Sequence, residues 1–154
     1  MTIAEISSRS GISPRQLRYV LEHDSFPGGK VASEGRGNER SFTEFEAFGI
    51  ACAALMFQGG LRRATVKRSI AAICPSARNL KKNSLYKALF ATGETILEVG
   101  DNVNLRMYGA SRIRSGNFDT GWRQIATGAE LKDKYQPYVK VQIDVGKLRD
   151  NLKS

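Results

Sequence analysis

Few residues in this chain have the types and spacing needed for covalent chemistry. The single histidine, His23, stands beside Asp24 at the end of an apolar-periodic stretch, where an imidazole complements a helix C-terminus more readily than it catalyses a reaction. Cys52 falls at helical spacing among apolar residues and reads as a small core side chain. Cys74, next to Pro75, has no Cys or His neighbour at metal-ligand spacing. The chain contains no phosphate-loop string, nucleophile elbow, dinucleotide fingerprint or paired-carboxylate constellation. It is therefore expected to be no enzyme, with no metal site and no cofactor. What remains is the chemistry of cations and amides. Arg15 and Gln16 directly follow Ser13 and Pro14; an Arg fork can bond two acceptors on guanine, and a Gln amide matches adenine. Lys30, Arg36 and Arg40 lie in a glycine-rich stretch, and Arg62, Arg63, Lys67 and Arg68 lie close together further on. These side chains suit phosphate oxygens. On the helix that carries Arg62 and Arg63, they suit a solvated face equally well.

The elements that would position these groups follow from local signals. Thr2 and Glu5 form a Thr-x-x-Glu capping box that opens a short helix ending near Arg9. Gly11 then permits a tight turn. Ser13 suits an N-cap and Pro14 the first helical position, so a second helix is predicted over 14–23 with Leu17, Val20 and Leu21 on its apolar side. Two short helices joined by a glycine-containing turn are a helix-turn-helix pattern. Residues 28–41 contain glycines at 28, 29, 35 and 37 and predict a flexible two-stranded wing, or else a plain loop. Thr43 and Glu46 repeat the capping box and open a third helix with Phe45, Phe48, Cys52 and Leu55 at helical spacing. Gly59-Gly60 ends it. A fourth helix is predicted over 61–73, and Pro75 marks a boundary between residues 1–75 and 76–154.

The second part reads as a small α+β unit. A short helix is predicted from 83 or 84 to about 91, with Leu85, Leu89 and Phe90 apolar. Residues 95–99 and 103–108 flank the turn string Gly100-Asp101-Asn102, which predicts an antiparallel hairpin. Residues 109–121 are irregular. Tyr138 to Val145 alternates strictly and predicts a strand, followed by Gly146 and a helix over 147–153. Arg112, Ile113 and Arg114, with Trp122 and Arg123, could form a basic-aromatic surface for single strands; a core Trp beside solvated arginines is the plainer expectation.

The strings Thr2-Ile3-Ala4-Glu5-Ile6 and Gly11-Ile12-Ser13-Pro14-Arg15-Gln16-Leu17-Arg18-Tyr19 resemble the start of MerR-type winged helix-turn-helix DNA-binding domains. Arg40-Ser41-Phe42-Thr43 resembles that family's step from wing to third helix, and Gln58-Gly59-Gly60-Leu61 its last interhelical turn. The resemblance covers roughly residues 1–73. It implies that Arg18 and Tyr19 contact phosphate, while the first turn of the second helix faces the major groove. Beyond Pro75 no heptad pattern is sustained, so the long pairing helix usual in such regulators is not expected.

The chain of 154 residues carries 24 Lys and Arg against 15 Asp and Glu, a formal charge of +9, and is 41% apolar, enough for a packed core. No apolar stretch is long enough to span a membrane, and no secretory signal opens the chain. A cytoplasmic protein, associated with the nucleoid when bound, is expected. The fold expectation is α+β: an N-terminal, mostly helical winged helix-turn-helix followed by a small α+β unit with an antiparallel hairpin and a C-terminal strand-helix. The expected function is sequence-specific binding of double-stranded DNA in transcriptional regulation, by a homodimer in which the Tyr138–Val145 strand takes part. The C-terminal unit would serve dimerisation or sense an effector that the sequence does not identify. The alternatives are an excisionase-like architectural or recombination accessory protein, and an RNA-binding or protein-interaction module.

Overall fold

The computed structural model describes residues 1–23, 26, 40–73, 89–100, 104–109, 123–124 and 137–154. Helix and sheet are mixed, in an α+β arrangement. Helices α1 (Ile3–Ser10), α2 (Pro14–Glu22), α3 (Glu44–Gln58) and α4 (Arg63–Ile73) come first. Strands β1 (Thr95–Gly100), β2 (Asn104–Gly109), β3 (Arg123–Gln124) and β4 (Lys140–Asp144) follow, and helix α5 (Val145–Lys153) closes the described chain. None of the described helices is long and apolar enough to cross a membrane.

Three of the first four helices start on capping boxes: two were expected from the sequence, and at the third Ser13, expected as an N-cap, is joined by Gln16. The Thr2, Ser13 and Thr43 hydroxyls each accept from the backbone N–H three residues on, and the side chains of Glu5, Gln16 and Glu46 reach back to the cap N–H. Each box satisfies two N–H groups that a helix start leaves unpaired. Between α1 and α2, Gly11 takes φ of 74°, a left-handed conformation that costs a side-chain-bearing residue about 1–2 kcal/mol. α2 buries Leu17, Val20 and Leu21 as its spacing predicts. α3 is buried on nearly every side, with residues 47–54 and Met56 inside, because the other elements pack around it.

Strands β1 and β2 form the expected antiparallel hairpin, with Ile96 opposite Tyr108 and Glu98 opposite Arg106. The sheet order is β3-β2-β1-β4, and β4 also runs antiparallel to β1. All six residues of β1 are buried. Side chains alternate between sheet faces, so both faces of this central strand are covered.

The C-terminal strand and helix differ from expectation in their bounds. The strand starts at Lys140 rather than Tyr138, leaving Tyr138 and Val139 exposed. The helix starts at Val145, capped by the Asp144 carboxylate, which accepts from the Lys147 N–H at 2.8 Å. Gly146 thus lies inside the first turn of α5 instead of ahead of it. Its missing Cβ lets that turn abut the sheet: a Cβ there would stand 2.8 Å from both the Gly93 oxygen and the Thr95 nitrogen. Phe90, expected on an apolar helix side, is exposed, while Leu89 is buried.

A single hydrophobic cluster joins both parts of the chain. Ile6, Leu17 and Phe48 from the first helices share it with Leu97 and Val99 of β1, Ile143 of β4, and Leu148 and Leu152 of α5. Polar contacts follow the same route. Arg9 donates to the Leu152 carbonyl at 2.7 Å, satisfying an acceptor that the end of α5 leaves open. Arg149 is 2% exposed and donates to the Gly93 carbonyl and to Asp150, both at 2.8 Å. The boundary expected at Pro75 and most of the helix over 83–91 lie outside the described residues.

Candidate nucleic-acid interface

The expected site residues fall into three groups. Arg15, Arg18 and Tyr19 stand on the exposed side of α2, and Arg62 and Arg63 stand at the start of α4. Arg40 is half-buried with its guanidinium 5.0 Å from the centre of the Phe42 ring. Lys30 and Arg36, with the rest of the wing except Arg40 and Ser41, lie outside the described residues. So do Arg112, Ile113, Arg114 and Trp122, and the Cys74 position.

Tyr19 is where the first two groups meet. Arg63 donates to the Tyr19 hydroxyl at 3.4 Å across a sequence separation of 44 residues. The Tyr19 ring packs edge-on against Phe57 with centroids 5.0 Å apart, and against His23 at 4.1 Å. The end of α3 therefore holds the tyrosine, and the tyrosine aligns α2 with the start of α4. Arg15 and Tyr19 are four residues apart, as are Arg63 and Lys67, so each pair shares one side of its helix. The Tyr19–Arg63 contact thus joins the row Arg15–Tyr19 on α2 to the row Arg63–Lys67 on α4. The sequence supplied the members of these rows but not their juxtaposition, which depends on how α2 and α4 lean on α3.

The first turns of the four N-terminal helices differ in charge. Glu5 lies in the first turn of α1, and Glu44 and Glu46 in that of α3, whereas α2 and α4 have no acid in theirs. Each helix start carries a partial positive charge that an acid would offset. The two helices that bear these rows leave that charge open, a pattern that attracts anions.

The start of α4 shows this most clearly. The Arg62 carbonyl accepts from the Val66 N–H at 3.0 Å, so Arg62 occupies the N-cap. Leu61 and Val66, at the two positions of a hydrophobic staple, are both buried. The staple is present, yet the cap residue is an arginine where Ser, Thr, Asp or Asn is strongly preferred. Among the described residues no hydrogen bond or ion pair of the Arg62 side chain accounts for that choice.

Ser13 and Gln16 are committed to each other. The Gln16 amide oxygen accepts from the Ser13 N–H at 3.1 Å and from its hydroxyl at 2.8 Å. A two-point contact from Gln16 to adenine would open this capping box; its amide NH2 can donate without doing so. Arg15, exposed in the same first turn, has no such commitment among the bonds described. The segment after the wing is fixed to the start of the chain, since the Phe42 N–H donates to the Met1 carbonyl at 2.8 Å and the Met1 nitrogen donates to the Phe42 carbonyl at 2.6 Å. Arg40 is thereby held two residues from an anchored point. No family model, curated protein or solved structure matches this chain.

Proposed function

We propose that this chain binds double-stranded DNA sequence-specifically as a transcriptional regulator, using a MerR-like winged helix-turn-helix within its N-terminal half. The observation that carries the reading is the Arg63–Tyr19 contact, which brings together the cations of α2 and α4, two helices with no acid in their first turns. In this reading α2 enters the major groove and Arg15 reads base edges. Tyr19 and Arg63 hold one phosphate between them, with Arg18, Arg62 and Arg40 on neighbouring phosphates, which fixes the register of the helix without specifying sequence. One helix of nine residues reads few base pairs, and a two-fold dimer doubles the site.

Competition tests this. Labelled duplex DNA bound by the full chain is displaced by unlabelled duplex and not by single-stranded RNA of equal length. Displacement by the RNA alone would replace the reading with an RNA-binding one. Neutralising about six phosphates predicts a fall in affinity of roughly a thousandfold between about 50 and 200 mM salt. Affinity that does not respond to salt would dismiss phosphate contact altogether.

A further inference from the structure

Strand β4 is the outer strand of the sheet, and among the described residues nothing pairs with its second edge. That edge is open. A cavity of about 410 Å3 is lined by four consecutive residues, Val141 to Asp144, together with residues from the ends of α1 and α3 and from α5. Successive side chains on a strand point to opposite faces, so four in a row line a cavity only if the strand's backbone edge looks into it. A free edge of unpaired N–H and C=O groups is a template for another strand, and folded proteins seldom leave one without some device. The usual device is a charged residue such as Lys140. Here its ammonium is drawn over the sheet to the buried Glu98 carboxylate, 3.0 Å away. Just ahead of the edge, Tyr138 is fully exposed and Val139 60% exposed.

The residue order along this edge, Lys-Val-Gln-Ile-Asp over 140–144, is complementary to itself when reversed. We infer that β4 pairs with β4 of a second copy of this chain, antiparallel about a two-fold axis at Gln142, joining the two sheets into one. In that register Lys140 stands opposite Asp144 of the second copy, Val141 opposite Ile143, and Gln142 opposite Gln142. The opposite-charge pair occurs twice by symmetry, and each such cross-strand pair stabilises a sheet. Asp144 caps α5 through one carboxylate oxygen, and its other oxygen faces no conflicting duty. Moving the axis to residue 141 or 143 keeps the apolar positions on one face but pairs Lys140 or Asp144 with Gln142. The Gln142 axis is thus the register that sets opposite charges across from each other, with the Lys140 ammonium, 45% exposed, shared between Glu98 of its own chain and Asp144 of the second copy. The pairing deepens the DNA-binding reading by supplying the two-fold axis that paired half-sites require, while standing on observations of its own.

Sedimentation of the full chain tests it. The wild type sediments as a concentration-dependent dimer. Gln142→Lys, at an exposed position, sets two ammonium groups against each other at the axis and weakens the dimer by about fivefold or more, with an unchanged circular dichroism spectrum. In a Cys74→Ser background, Gln142→Cys links two chains under oxidised glutathione, because Cα atoms directly opposite in an antiparallel pair stand about 4.5–5.5 Å apart, within disulfide range. The exposed Glu94→Cys does not. A wild type that stays monomeric up to its solubility limit overturns the inference, as does a dimer that Gln142→Lys leaves intact and Gln142→Cys leaves unlinked. The two readings fail separately: a monomer that binds duplex DNA overturns only the strand pairing, and a dimer that ignores DNA overturns only the function.

Discussion

Arg62→Asp separates the cost of the fold from the demands of a ligand. Arg62 occupies the N-cap of α4 above a buried Leu61–Val66 staple, with no acid in the first turn. An aspartate there gains a capping bond, about 1 kcal/mol, and a favourable interaction with the helix dipole, about 0.5 kcal/mol. A chain of this length gains about 2–4 °C in Tm per kcal/mol, so the variant should melt about 3–6 °C higher. On the proposed reading the same substitution removes one phosphate partner and adds a repelling charge next to Arg63 and Tyr19. Binding to duplex DNA should weaken at least about tenfold, and the slope of log affinity against log salt should fall by about one. Arg62→Ser supplies the cap without the negative charge; it should gain most of the stability and lose one unit of slope. Calorimetry and fluorescence anisotropy across a salt series measure both quantities. If Arg62→Asp stabilises the chain and leaves affinity and slope untouched, the basic start of α4 is a solvated face and the phosphate assignment is wrong.

Other expectations concern the fold that carries this surface. Gly146→Ala places a Cβ against the Gly93 oxygen and Thr95 nitrogen, backbone atoms that cannot turn aside, so it should cost about 3 kcal/mol; a denaturation midpoint equal to that of wild type would show that α5 does not abut the sheet there. The Thr2 N–H donates to the Glu5 carboxylate at 2.6 Å and holds its pKa below the ordinary glutamate value. The stabilisation is then complete above the unfolded-state pKa and is lost as pH falls through the lower folded-state value. Melting temperatures should therefore fall more steeply with acid in wild type than in Glu5→Gln, and parallel curves would contradict the capping box. Arg40→Ala should weaken DNA binding evenly across sequences, as a phosphate contact does; a change in preferred sequence would give Arg40 a base instead.

The starts of α1, α2 and α3 were legible because a cap is a local device, encoded by the few residues that make it, whereas α4, expected from 61, begins at Arg63. The hairpin was legible for the same reason, with turn residues between two alternating segments. Distant contacts were not. Arg149 sits between Leu148 and Asp150 and reads as one polar position on an amphipathic helix, yet it is buried because its acceptor, the Gly93 carbonyl, comes from 56 residues away. Nothing local marks Glu98 as buried: β1 is central and covered on both faces, with Lys140 brought in from β4. Gly146 read as a helix-preceding turn because its packing partner lies 53 residues earlier. The candidate interface divides along the same line. Pro14, Arg15 and Tyr19 could be assigned to one helix from local pattern, whereas the Arg63–Tyr19 contact follows from both helices leaning on α3. The arginine cap of α4 was present in the sequence and could have been noticed there, since Leu61 and Val66 already mark the staple that brackets it.

The central claim is that α2 reads base pairs through Arg15, and selection from a random duplex library tests it most directly. The full-length wild type should enrich one defined motif. Arg15→Ala should still bind duplex DNA while losing its preference at one base pair, a discrimination worth about 1–3 kcal/mol. No enrichment by the wild type, or an identical motif from Arg15→Ala, would contradict the account.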